Sequence, residues 1–137
     1  MLAVFAMSMT ANAQRISEDE RERVINNLID HMQKWGDWYI TVTPVTWYEY
    51  WAVTGIKKHP KNVSVSKAAI VQSTDQQRFC DVLNKEAKRK IFILLSKTEA
   101  AKAHRDRVHL HDDISYNSYD HGFYVKMSKY YYQQLRE

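Results

Sequence analysis

The spacing of the apolar residues changes near Gly36, and that change confines the chain to folds in which helices and strands share a core. Before it, Val24, Ile25, Leu28, Ile29, Met32 and Trp35 recur at three- and four-residue steps, the pattern of one buried helical stripe. Ser17 followed by Glu20 is a capping box at its start, so a helix is expected over 18–35. From Trp38 the step becomes two, with Trp38, Ile40 and Val42 on one face and, after Pro44, Val45, Trp47, Trp51 and Val53. The parity slips by one at Pro44, as a β-bulge on an edge strand would produce. A helix capped by Thr43, begun by Pro44 and ended at Gly55 also fits 44–54. The density of β-branched and aromatic residues favours the strand.

The remaining segments extend this pattern. Val63, Val65, Ala69 and Val71 alternate, so 63–71 is expected to be the partner strand. Thr74 with Gln77 opens a helix over 74–89 that buries Phe79, Val82, Leu83 and Ala87. The run from Ile91 to Leu95 is too short for such a helix and reads as a strand buried on both faces, the expected centre of the sheet. A short helix over 97–105 follows Ser96. Val108, Leu110 and Ile114 then alternate with polar residues, as do Phe123, Val125 and Met127, giving two antiparallel strands and a closing helix over 128–136. The expected architecture is a single α+β domain over 14–137, with a mostly antiparallel sheet of about five strands packed against two main helices. A chain of 137 residues, 45% apolar and 12% aromatic, can bury such a core.

Residues 1–13 carry no charged side chain, run through Leu2, Ala3, Val4, Phe5, Ala6 and Met7, and close on Ala11, Asn12 and Ala13 before Gln14. This small-x-small ending after an apolar run reads as a secretory signal peptide. The usual leading Lys or Arg is missing, as in an N-terminally truncated leader. The expected product is exported, periplasmic or secreted, and soluble, since no window approaches the roughly twenty apolar residues of a membrane span. Cys80 is the one cysteine, so it forms no internal disulfide and reads as a small buried hydrophobe.

The net charge of +4 is concentrated in two clusters: Lys57, Lys58, His59 and Lys61 in one loop, and Lys85, Lys88, Arg89 and Lys90 at a helix end. Neither forms a basic stripe interleaved with exposed aromatics, so nucleic acid is a poorer expectation than a protein or glycan partner. With only three Gly, and without a phosphate-binding loop, dinucleotide fingerprint, G-x-S-x-G or H-E-x-x-H, a nucleotide-dependent enzyme is a poor fit and no organic cofactor is expected.

Two constellations remain. His104, His109, His111 and His121 fall within eighteen residues, with Asp106, Asp112, Asp113 and Asp120 among them. On a strand, His109, His111 and Asp113 share a face, and a register pairing Leu110 with Val125 sets His109 opposite Lys126 and His111 opposite Tyr124. A divalent metal such as zinc held by His109, His111 and Asp113, His121 or Asp120 could activate water. Without metal, His109 and His111 could act as base and acid beside Lys126 and Tyr124 in a phosphodiester hydrolase. A solvated polar face explains the same residues.

The second constellation is aromatic. Trp35, Trp38, Tyr39, Trp47, Tyr48, Tyr50 and Trp51 lie within seventeen residues. On strands, Tyr39, Tyr48 and Tyr50 share the face away from the core with Thr41, Thr46 and Thr54, where they could stack on sugars or contact a protein. The leading expectation is therefore a small exported, non-enzymatic binding or interaction protein using this Tyr/Thr sheet face. The hydrolase at His109 and His111 is the alternative.

Overall fold

The computed structural model of the chain describes residues 16–108 and 122–136. Helix α1 spans Glu18–Asp30, and the Ser17 hydroxyl caps it by accepting from the Glu20 N–H at 3.2 Å. Glu18, Asp19 and Glu20 occupy its first turn, where the helix dipole favours negative charge. It stops at Asp30, with the His31 ring nitrogen Nδ1 at 2.8 Å from the Asn27 carbonyl oxygen. The expected helix is thus five residues too long.

Met32–Trp35 is instead strand β1, paired antiparallel with β2, Trp38–Thr41, through a two-residue turn at Gly36 and Asp37. Gly36 takes φ +63°, as the first position of a primed hairpin turn favours. Met32 and Trp35, three apart, would share a helix face, but on a strand they point to opposite faces. Met32 joins the main core and Trp35 packs on the second cluster.

The expected strand over 44–54 is helix α2, Trp47–Thr54. Thr46 and Glu49 form a reciprocal capping box, and Gly55 closes the helix in the left-handed region at φ +76°. Gly55 is the end the helical alternative required, but the cap is Thr46, two positions after Pro44. The residues of 63–71 form no strand; a single bridge joins Thr46 to Ala68. Their carbonyls still meet the helix, because the Trp47 and Tyr48 N–H groups donate to Lys67 and Val65. Two of the donors that a helix N-terminus leaves without partners are satisfied in this way.

Helix α3 spans Ser73–Ala87, helix α4 Lys97–Arg105 and helix α5 Lys129–Arg136, close to the expected ranges. The described residues contain four strands, with β3 at Ile93–Leu94 and β4 at Val125–Ser128, in the antiparallel order β1-β2-β4-β3. The fold is therefore α+β. The run 91–95 is an edge, not the centre: β3 is two residues long and Ile93 is exposed. The centre is β2 and β4.

Lys126 of β4 pairs with Ile40 on one side and Ile93 on the other. His109, which the expected hairpin register set opposite Lys126, lies outside the described residues.

The sheet divides two cores. Met32, Val125 and Met127 join Leu28, Val45, Tyr50, Phe79 and Leu83 in the main core, beneath α1, α2 and α3. On the other face, Ile40, Leu95 and Tyr124 pack with Ala100 and Ala103 of α4. Gly122 allows the β4 approach to close on the loops: a Cβ there would lie 2.9 Å from that of Pro44 and 3.1 Å from that of Ala68. No helix among the described residues is long and apolar enough to cross a membrane.

Candidate functional site

The three tyrosines expected on one sheet face occupy two elements and three environments. Tyr39 lies on β2, half-buried and stacked on Tyr132 of α5 at 3.6 Å between centroids. Tyr48 lies on α2 and donates its hydroxyl to the Glu20 carboxylate of α1. That hydrogen bond, then burial, holds its phenol above the ordinary value. Tyr50 is wholly buried, stacked on Phe79 and edge-on to Trp47. On a helix, residues two apart point about 200° away from each other, so Tyr48 and Tyr50 cannot share a face. Thr41 is buried, Thr46 is a cap and Thr54 donates to the Tyr50 carbonyl. The Tyr/Thr sheet face is not formed.

The second expected site lies mostly outside the described residues, which exclude His109, His111, Asp113, Asp120 and His121. Its two described members, Tyr124 and Lys126, do turn to the same face, but α4 covers that face. Tyr124 is 1% exposed. The Lys126 ammonium donates to Glu99 Oε2 at 2.6 Å and lies 4.2 Å from the Trp38 ring centroid. Lys126 is thus held between a carboxylate and an aromatic face. Among the described residues no group of three His, Cys, Asp or Glu is placed to hold a metal ion. Cys80 is buried, and burial, helped by Asp81, pushes its thiol up to about 12, so it is not a reactive thiolate.

The largest concavity described lies elsewhere, where the loop after α2 folds back over the start of α3. It is a shallow concavity open to solvent, with a volume of about 840 Å³, and is lined by Trp47, Lys58, Pro60, Val63, Lys67, Ala68, Ile70, Val71, Gln72 and Asp75. That is within the size range of small-molecule sites. Two features of the local sequence build it. The Thr46 cap swings the chain into α2, and the Val65 and Lys67 carbonyls then anchor the returning loop to the first turn of that helix.

Charge in the cleft is unbalanced. Asp75 accepts from Lys58 at 3.0 Å and meets Arg78 at 3.5 Å, so one carboxylate serves two cations, and Lys67 adds a third positive charge. Gln72, the N-cap of α3, gives no side-chain hydrogen bond to the helix, and Asp75 is the carboxylate of its first turn, where the dipole favours it. Beside the cations, Ile70 is 41% exposed, and Val63 and Val71 are half-buried. The Tyr50 hydroxyl is buried with no partner at full hydrogen-bond geometry, near Asp75, Lys58 and Arg78. Burial and then the Asp75 charge raise its pKa, partly offset by Lys58 and Arg78.

Lys58 belongs to the basic loop evident in the sequence; Lys67, Ile70 and Asp75 were not singled out. The signal that would have found them is Thr46-x-x-Glu49, a capping box that makes 47–54 helical and forces 63–72 to wrap around its start. Comparison with protein-family models, curated proteins and solved structures finds no match to this chain.

Proposed function

We propose that the chain is a small exported binding protein, non-enzymatic, whose ligand occupies the cleft between the 58–71 loop and the start of α3. The ligand class is an organic anion with an apolar body: a carboxylate or phosphate head for the Lys58, Lys67 and α3 corner, and an apolar tail along Val63, Ile70 and Val71. The observation that carries this reading is the excess of positive charge around one shared carboxylate, directly against an exposed isoleucine. Cations beside apolar surface favour amphipathic anions, because the two halves of such a ligand are desolvated against complementary walls. A glycan is less well served, since Trp47 and Tyr50 are buried and leave no broad aromatic platform.

Titration calorimetry with decanoate, and with decanol as the uncharged control, tests the assignment. Decanoate should bind and decanol should bind at least about tenfold more weakly, a difference near 1.4 kcal/mol. Lys67→Glu should weaken decanoate by a similar factor and steepen no other property, because Lys67 is exposed. Equal binding of acid and alcohol, or an unchanged Lys67→Glu variant, rejects the site. Export predicts that material recovered outside the cytoplasm begins at Gln14 by intact-mass measurement; a chain retaining Met1 there rejects the leader.

A further inference from the structure

A second concavity, separate from the cleft, has the opposite polarity. It lies between α1 and the C-terminal half of α3, closed at one end by α5, and encloses about 400 Å³. Its floor is apolar, made of Ile25, Ile29, Leu83, Ala87 and Phe92, and Leu135 stands at its lip with 43% exposure. Its rim carries Glu18, Glu22 and Glu86 against one cation, Arg21, which is already paired with Glu86 at 3.2 Å. We propose that this groove docks a cationic amphipathic helix of another protein, with a large apolar side chain in the floor and flanking Lys or Arg on the rim.

Three observations support that occupant. Ile29 is buried in the core with Val24 and Leu28, and half-buried Ile25 extends from it a groove-side stripe in line with Glu18 and Glu22. An amphipathic partner helix matches that stripe with its own three- and four-residue spacing. The rim is also acidic on both helices: Glu18 and Glu22 stand exposed near the start of α1, and Glu86 lies in the last turn of α3, where its ion pair with Arg21 offsets the unfavourable dipole. Finally, the three carboxylates stand out from a chain whose net charge is +4, and none of Lys85, Lys88 and Lys90 lines the groove. The molecule as a whole repels a cationic peptide, so any attraction for one is local to this rim.

A fluorescein-labelled amphipathic helical peptide of Leu and Lys is the probe, with the same peptide carrying Glu for Lys as its control. Fluorescence anisotropy should report binding of the Lys peptide and none of the Glu peptide. The double variant Glu18→Lys/Glu22→Lys should weaken the Lys peptide at least about tenfold, and Ile25→Asp should do likewise. Asp81→Lys, a charge change of +2 against +4 in the double variant and on the exposed side of α3, should leave it within about twofold. All three variants are compared at matched far-ultraviolet circular dichroism, and Glu18 and Glu22 are exposed positions whose exchange leaves the core intact. Equal binding of both peptides, no change in the double variant, or an equal loss in Asp81→Lys each overturns the proposal. Lys58→Glu reports separately on the cleft and should not alter peptide binding.

Discussion

Tyr50 places a hydroxyl in the core with no partner at full hydrogen-bond geometry, although the Arg78 side chain is close enough to lower its pKa against the rise from burial. A buried polar atom without a partner carries its full desolvation cost, so Tyr50→Phe, which keeps the ring stacked on Phe79, should raise unfolding free energy by about 1 kcal/mol. Urea denaturation measures this; a loss of stability would mean that the hydroxyl does find a partner. Two glutamates give opposite pH behaviour. For Glu99, burial pushes the carboxyl up, but the Lys126 hydrogen bond, the Ser96 cap and the Lys126 charge outweigh it, leaving the group below its ordinary 4.5. Its contribution is present above that value and is lost as pH falls through the lowered one. For Glu49, burial exceeds the effect of the Thr46 cap and raises the group above 4.5. Its contribution is present at low pH and is lost as pH rises through the raised value. Unfolding curves across pH should therefore flatten below pH 4.5 in Glu99→Gln and above it in Glu49→Gln. Glu99→Gln should also lose about 1–3 kcal/mol at neutral pH, because Lys126 is left half-satisfied beside Trp38.

At the scale of elements, α2 depends on its ends. It is eight residues long, too short to hold on propensity, so Thr46→Ala should cost about 1 kcal/mol and loosen the 63–71 loop hung on its first turn. Hydrogen exchange at Trp47 and Tyr48 would report that loosening first. The same helix shows where the sequence is legible. α3 is found by its apolar period and α4 by its Ser96 start, whereas α1 begins at its Ser17 cap but is read past its end at Asp30. α2 misleads because Trp, Tyr, Val and Thr are β-formers by themselves, and in an eight-residue window a period of 3.6 and a period of two select overlapping positions. Capping decided the outcome, through Thr46, Glu49 and Gly55. β1 misleads for a related reason: Met32 and Trp35 continue the spacing of α1 while each is buried on its own side of a sheet. The cleft inherits both difficulties, because it forms where a loop wraps around the misread helix, and only Lys58 of its charged residues stands in a visible cluster.

Across the whole molecule, α3 contributes to both concavities, Asp75 near its start in the basic cleft and Glu86 near its end in the acidic groove. Eleven residues of helix separate them by about 16 Å, roughly two Debye lengths at physiological ionic strength. Charge at one end is therefore screened from the other, and a rigid helix offers no change of length to couple them. Saturating the cleft with decanoate should shift the peptide affinity of the groove by less than about twofold, measured by repeating the anisotropy titration with decanoate present; a larger shift would show the two to be linked.

The pairing of β4 on both sides also determines how this protein meets its own copies. With β2 and β4 enclosed, the sheet offers hydrogen-bonding edges only at β1 and β3 among the described residues, four and two residues long. Edges that brief, one of them bearing Gln33 and Lys34 in water, give a stray strand too few rungs to climb. Pairing between copies through the edges of the described sheet is therefore disfavoured.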